Sequence, residues 1–472
     1  MNRRDFLGRV SAGALALAGC QSVPAQAKQR PNIVFFLVDD MGWADVGCFG
    51  STFHETPNID RFAREGLRFM QAYAACPVCS PTRASIMTGK YPARLHLTDF
   101  LKGARSPEDS PVLPAPYLDQ LALEETTIPE VLREAGYATG IVGKWHLGDA
   151  SYGPQKQGFD MAIGVPGGGG LRSYFWPGWS SPLEGHFRGE YLADRYTDEA
   201  CAFIQAHRER PFFLYLAHNS VHIPLEAKAE KIKKYEEKLK AHPPQEGRQN
   251  NPHYAAMVES VDESLGRVLE TLETCGIADN TLVVFFADNG GLSVHEGKLT
   301  PATTNYPLRA GKGYLYEGGV REPMIVRWPG VTKPNSTCDT PVCSIDFLPT
   351  FRAIAAPGVK AGPVDGLDIS PLLRREQKTL DRPALYWHYP HFSNQGGRPG
   401  GAIRAGDWKL IEEYEYGKLE LYNLRDDIGE TKNLAEAEPK RARALHEQLV
   451  AWRAEVNATM PPPNPRYKPG AK

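Results

Sequence analysis

Three apolar runs constrain the fold of this chain more than any other feature. They are Asn32-Ile33-Val34-Phe35-Phe36-Leu37-Val38, Pro211-Phe212-Phe213-Leu214-Tyr215-Leu216-Ala217 and Thr281-Leu282-Val283-Val284-Phe285-Phe286-Ala287. A strand with one face in water alternates apolar and polar residues, whereas a strand covered on both faces reads as a continuous apolar run. The runs therefore predict the middle of a parallel sheet clad on both sides. Each ends in polar residues: Asp39 and Asp40, His218 and Asn219, Asp288 and Asn289. Open α/β sheets bind ligands just beyond the carboxyl ends of such strands. Three strands that deliver polar groups to one edge point to a site.

Helical segments alternate with these strands. Residues 56–65 begin with a Thr-Pro cap and first turn, and 127–135 lead into a shorter strand at 138–143. Helices at 195–206 and 254–274 precede the second and third runs. The alternation predicts a doubly wound α/β domain over residues 31–375. Within it, the Gly- and aromatic-rich stretch 164–179 is expected to be a loop over a pocket, and the Lys/Glu-rich stretch 228–251 an exposed helix. The pattern changes near 371–382. Short strand-like pieces at 384–388, 401–404, 408–412 and 419–423 then precede an amphipathic helix at 439–456. They predict a small antiparallel α+β subdomain over 376–460, followed by a Pro-rich, poorly ordered tail at 461–472. A chain of 472 residues accommodates such a two-part plan.

The first residues read as an address. Arg3-Arg4-Asp5-Phe6-Leu7 resembles a twin-arginine export motif, and the apolar run at 12–18 is too short to span a bilayer. Leu17-Ala18-Gly19-Cys20 resembles a bacterial lipobox, which implies an export signal over 1–20 and a lipid on Cys20. A polar linker fills 21–30. The expectation is an exported protein, periplasmic or tethered to the surface as a lipoprotein, with no transmembrane span. The net charge of −2 provides no electrostatic argument for nucleic acid.

The run Cys79-Ser80-Pro81-Thr82-Arg83-Ala84-Ser85-Ile86-Met87-Thr88-Gly89-Lys90 carries the most specific chemistry. It resembles the signature by which type I sulfatases, of the alkaline-phosphatase-like superfamily, mark one cysteine for oxidation. The resemblance implies a formylglycine-generating enzyme as a partner, an aldehyde at residue 79, and a hydrated aldehyde as nucleophile. It also implies a large doubly wound mixed sheet flanked by helices. Thr82 and Lys90 stand where the family often has serine and arginine. A competing reading is a Cys-x-x-Cys redox pair, Cys76-Pro77-Val78-Cys79, which leaves Pro81 and Arg83 unexplained. Cys338 and Cys343 are close enough in sequence for a loop disulfide, although their pairing stays open.

Carboxylate and amide oxygens suit a hard divalent cation. The family resemblance extends residue by residue to Asp39, Asp40, Asp288 and Asn289 as metal ligands, completed by residue 79. It implies calcium (Ca2+), with magnesium (Mg2+) left open. Gly143-Lys144-Trp145-His146-Leu147-Gly148 resembles the family's second motif, implying catalytic roles for Lys144 and His146 beside Arg83. His222 matches the histidine placed near the ester oxygen, and Lys312 the lysine that contacts sulfate. No hydroxyl contact is assigned within 164–173.

The function implied is hydrolysis of sulfate esters on a sulfated glycan. Residues 388–410 resemble the C-terminal region of galactosamine-sulfate-type sulfatases, which points to sulfated galactose or N-acetylgalactosamine. Asp99, His391 and Arg398 are the candidate sugar contacts. A phosphonate or phosphate monoester hydrolase of the same superfamily is the nearest alternative, and an inactive glycan-binding surface lipoprotein is one of another class.

Overall fold

The computed structural model describes residues 30–468 except 104–106, 108, 165–170 and 180–185. The twin-arginine-like segment, the Cys20 lipobox and the linker up to residue 29 lie outside the described residues. The large sheet contains β1 Asn32–Val38, β2 Leu67–Tyr73, β3 Ala138–Gly143, β4 Met161–Ile163, β5 Phe212–Ala217, β6 Thr281–Ala287, β7 Arg321–Arg327, β8 Ser336–Cys338 and β9 Val342–Cys343. Their order is β4-β3-β5-β1-β6-β7-β2-β8, with β9 also pairing β2. The longer helices are α1 Pro57–Glu65, α2 Cys79–Thr88, α3 Ile128–Glu134, α4 Leu192–His207, α5 Ala229–Ala241, α6 Pro252–Thr274, α7 Phe347–Ala355 and α8 Pro439–Glu455.

The parity of β1 explains its continuous apolar run. Val34, Phe36 and Val38 pack into a core with α1, α4 and α6. Ile33, Phe35 and Leu37 pack into a second core with α2, α3 and α7 on the opposite face. A sheet clad this way has no solvent face on which polar residues could alternate. Local signals set the helix starts. The Asn251 side chain accepts from the His253 and Tyr254 amides ahead of α6, with Pro252 in the first turn. Thr127 and Glu130 form a capping box at the start of α3. The charged stretch 228–251 is helical only as α5, because Pro243 and Pro244 follow it.

The sheet is mixed because β7 runs antiparallel to both β6 and β2. Pro323 within β7 would ordinarily argue against a central strand. Here the β2–β7 register shifts between Phe69 and Ala72, opposite Met324 and Glu322, so the proline falls at an irregularity that needs no ladder donor.

A separate four-stranded antiparallel sheet is formed by β10 Leu385–Tyr389, β11 Gly400–Ala405, β12 Trp408–Glu413 and β13 Leu419–Asn423. With α8 it shares a core that includes Tyr73, Ala75, Cys76 and Val78 just before α2. Trp387 Nε1 donates to Ala74 O at 2.8 Å across this seam. Part of the proline-rich tail is paired with the catalytic domain. Leu113 N donates to Pro462 O and Asn464 N to Pro111 O, each at 2.8 Å, so the backbone of 462–464 pairs with 111–113. Residues 469–472 lie outside the described residues.

Cys338 and Cys343 are free thiols. They pair with Phe69 and Tyr73 along one strand, which separates them by about 13 Å at the rise of an extended chain. A disulfide would need their Cα atoms within about 7 Å.

His388 on β10 is tied within the small subdomain. It is buried, its Nε2 meets Thr459 O at 3.0 Å and its Nδ1 meets Tyr414 Oη at 2.7 Å. The carbonyl requires Nε2–H, so the neutral tautomer satisfies both contacts when the tyrosine donates. Burial pushes its pKa down to about 4. The unfolded chain takes up this proton near pH 6.5, so the neutral folded form loses stability as pH falls from there towards 4. Between pH 7 and pH 5 the loss is about 2 kcal/mol. Urea unfolding of His388→Gln at both pH values should show a drop smaller by about that amount. An unchanged drop would exclude His388 as its source.

Candidate active site

The carboxyl ends of β3, β5, β1 and β6 lie side by side, and each strand continues directly into chemically active residues. Asp39 and Asp40 follow β1, Asp288 and Asn289 follow β6, Lys144 follows β3, and His218 and Asn219 follow β5. The turns are tight. Asp40 and His146 both hold φ of 60°, in the left-handed region that non-glycine residues rarely enter. Gly143 is required where β3 ends. Its φ is 111°, and a Cβ there would lie 1.9 Å from Ala217 O. That close approach lets Lys144 N donate to Ala217 O at 2.8 Å and aims the lysine across the sheet edge.

Cys79 is the first residue of α2 and Arg83 follows one turn later, so both face the strand ends. Cys79 Sγ stands 3.4 Å from Asp39 Oδ1 and 4.0 Å from Asp40 Oδ1. Arg83 Nε and Nη2 reach Asp288 Oδ2 at 2.8 and 2.7 Å, while Nη1 donates to Lys144 O at 2.9 Å. Lys144 Nζ lies 2.5 Å from Asp39 Oδ2, and Lys312 Nζ 2.6 Å from Asp40 Oδ2. His222 Nε2 is 3.6 Å from Asp40 Oδ2. Its Nδ1 donates to Ile223 O at 2.7 Å, which leaves Nε2 facing the carboxylates. Among the described residues neither ring nitrogen of His146 has a hydrogen-bond partner, although both are buried.

Three carboxylates this close are costly to bury unless they are compensated. Burial pushes the Asp39 carboxyl up, but Lys144 and Arg83 outweigh it and hold the group well below its usual range. Asp288 goes the other way, pushed up to about 7 by burial and by repulsion from Asp39. Burial pushes the Cys79 thiol up, and the Asp39 charge adds to it. Cys76 is likewise raised by burial. Both thiols therefore stay protonated, whereas thiol exchange needs an accessible thiolate. The structure supports no redox role for the pair.

The donor set fits a hard divalent cation. Oxygens of Asp39, Asp40 and Asp288 and the sulfur of Cys79 all lie within 4.8 Å of one another. Asn289 Nδ2 donates to Asp40 Oδ1 at 2.8 Å, while its buried Oδ1 has no hydrogen-bond partner among the described residues. An orphaned amide oxygen beside crowded carboxylates is what an oxygen-preferring ion would use.

Above this centre opens a cavity of about 720 Å³, lined by Cys79, Lys144, His146, His222 and Lys312 at its inner end. The sequence-derived sugar contacts are not among the residues that line it. Asp99 is buried, with Oδ1 accepting from Tyr389 Oη at 3.0 Å, and His391 Nε2 meets Thr98 Oγ1 at 2.8 Å. Both stand behind the wall that Phe100, Leu101 and Lys102 present to the cavity. Arg398 pairs with Glu415 Oε2 at 2.6 Å and lines a separate cavity of about 290 Å³.

The lining residues that sequence reasoning missed include Tyr174, Glu296 and Gln395. Tyr174 lies in the aromatic loop expected to cover a pocket. Its hydroxyl bridges Asn219 O at 2.6 Å and His222 O at 2.8 Å, pinning the turn that carries His222. Glu296 and Gln395 come from irregular segments that carry no motif.

The pattern of the Sulfatase family matches residues 31–356. The C-terminal pattern of N-sulphoglucosamine sulphohydrolase matches residues 310–455. A sulfatase of Formosa agariphila is 32% identical, the match covering 92% of this chain and 90% of that protein. Mouse (Mus musculus) N-acetylgalactosamine-6-sulfatase is 34% identical over 79% of this chain and 72% of its own. The crystal structure of Ps i-CgsB superposes with a TM-score of 0.75 at 31% identity, covering 90% of this chain and 93% of its own. The same protein has been solved in complex with k-i-k-neocarrahexaose. The chain belongs to the sulfatase family, within the alkaline-phosphatase-like superfamily, and is a sulfuric ester hydrolase.

Proposed function

We propose that the protein removes sulfate from galactose or N-acetylgalactosamine units of a sulfated glycan, using residue 79 as formylglycine and Ca2+ as its metal. The observation that carries this reading is Cys79, seated 3.4 Å from Asp39 among three buried carboxylates and under two lysines. The mouse relative, an N-acetylgalactosamine-6-sulfatase, supports a galactose-type sugar, and the Ps i-CgsB complex with k-i-k-neocarrahexaose supports a glycan substrate. The twin-arginine-like and lipobox-like segments support export and tethering through Cys20.

The chain's own residues divide the work. Hydration of the aldehyde gives residue 79 two hydroxyls, one of which attacks sulfur as the bond from sulfur to the sugar oxygen breaks. Lys144 and Lys312 carry fixed positive charge to the transferring group. His222 Nε2, which the Nδ1–Ile223 bond leaves bare in the neutral ring, takes the proton of the attacking hydroxyl and passes it to the departing sugar oxygen. Burial and Lys144 push the pKa of His146 well below its usual value, so it is neutral and available as a base. It removes the proton of the second hydroxyl, the carbonyl re-forms, and inorganic sulfate leaves. Asp39, Asp40, Asp288 and Asn289 would hold the cation, which supplies Lewis-acid stabilisation of developing oxygen charge. The full set around one cavity argues against a degenerate, binding-only site.

Cys79→Ser should fold normally but make a sulfate ester that cannot collapse to an aldehyde. Intact mass should show a trapped sulfo group or no sulfate, and steady multiple turnover would overturn the mechanism. Calcium added to chelator-treated protein should raise Tm, by about 2.7 kcal/mol of stabilisation at a hundredfold excess over Kd. Asp288→Asn should abolish most of that shift. Tyr174→Phe should lower kcat/KM about tenfold through the loosened His222 turn, at a stability cost of about 1 kcal/mol. Wild-type kinetics in that variant would show that the hydroxyl does not position His222.

A further inference from the structure

The catalytic cavity changes sign along its depth. Its inner end carries Lys144 and Lys312 over the carboxylates. Its outer part is lined by Asp119, Asp149 and Glu296, with Lys102 the one basic side chain there among the described lining residues. Asp119 and Asp149 are exposed and Glu296 is half-buried. Glu296 is also held in place. Its Oε2 accepts from Gln395 Nε2, and Gln395 is itself buried, with its backbone amide donating to Ser393 Oγ at 3.1 Å. Gly313, next to Lys312, makes room for this segment. A Cβ there would lie 2.0 Å from Ser393 Oγ and 2.8 Å from Gln395 Oε1. The loop that carries the sulfate-side lysine and the segment that fixes the outer carboxylate are therefore packed as one unit.

We infer that the outer cavity selects a sugar whose only anionic group is the ester being cleaved. The inference rests on the sulfatase reading of the inner site. Carboxylates accept hydrogen bonds from neutral hydroxyls, and Glu296 with Gln395 presents fixed polar atoms to a hydroxyl-rich ring. A second sulfate or a uronate placed beside Glu296, Asp119 and Asp149 meets like charge, and discrimination by repulsion needs no loss of affinity for the correct substrate. The substrate class is then a monosulfated neutral sugar unit, with further anions excluded from the ring seated in the cavity. The two exposed carboxylates act across water and are screened by salt, whereas Glu296 is less so.

The test compares kcat/KM for an aryl monosulfate and for monosulfated galactose and N-acetylgalactosamine disaccharides, each sugar matched with its disulfated counterpart. Wild-type enzyme should favour the monosulfated member of a pair by about tenfold at 0.1 M salt. Raising the salt to 1 M, where the Debye length falls from about 10 Å to about 3 Å, should narrow the ratio. The double variant Glu296→Gln with Asp119→Asn should bring it to within about threefold, with each ratio taken within one enzyme so that a general loss of activity cancels. Equal wild-type rates on both members, or a ratio that neither salt nor the variant moves, would overturn the inference while leaving the sulfatase reading intact. Release from the aryl ester alone would overturn it together with the carbohydrate reading. No release from any substrate would remove the sulfatase reading beneath both.

Discussion

Everything at the sheet edge is arranged around the repulsion between Asp39, Asp40 and Asp288. Three carboxylates with almost no solvent contact cannot share so small a volume without compensation. Arg83 is committed to Asp288, Lys144 to Asp39 and Lys312 to Asp40. Those partners come from α2, from the end of β3 and from the loop before β7, so balancing one electrostatic problem ties together distant parts of the chain. The raised Asp288 group marks where the balance is incomplete. The orphaned Asn289 oxygen beside it points the same way.

The small sheet is fastened to this centre by buried charge as well as by apolar packing. Lys409 Nζ lies 2.9 Å from Glu317 Oε1 and 3.0 Å from Glu430 Oε1, with no solvent exposure. Glu317 follows Lys312 by five residues, accepts from Tyr73 Oη at 2.8 Å and stands 3.3 Å from Arg321 Nη1. Removing one member would strand the others in a low-dielectric interior, where an unpaired charge is severely penalised. The loop bearing Lys312 is thus bounded by Gln395 on one side and by this network on the other.

How much of this was legible in the residues depended on whether a position obeys a local rule. β1, β5 and β6 were readable because burial on both faces leaves an uninterrupted apolar run. Their terminal polar residues were readable because parallel strands place such groups at one edge. β2 and β7 were not, since Arg68 and Gln71 break the apolar pattern of one and Pro323 argues against the other. Cys79, Lys144, His146, His222 and Lys312 sit in motifs, and the fold gathers them at one cavity. Asp99 reads as a sugar contact because it lies close in sequence to the nucleophile helix, and His391 because it sits in the polar-aromatic segment His388-Tyr389-Pro390-His391-Phe392. Their burial behind the cavity wall reflects tertiary packing that no spacing encodes. Glu296 and Gln395 lie about a hundred residues apart in unpatterned segments, so only the folded chain brings them together.

The seating of Cys79 also imposes an order of events. The residue is 2% exposed, at the start of a helix whose residues are all buried, beneath a cavity lined mainly by loop residues, with Asn394 and Gln395 between β10 and β11 among them. Once α2 has closed against the strands, the Cys79 thiol is enclosed, and any enzyme proposed to oxidise it is denied contact with the buried motif. On the formylglycine reading, oxidation belongs to the nascent or unfolded chain, and folding ends the opportunity. A molecule that folds first keeps a protonated thiol at the centre of an otherwise complete site, and its chance of becoming an enzyme is lost until it unfolds again.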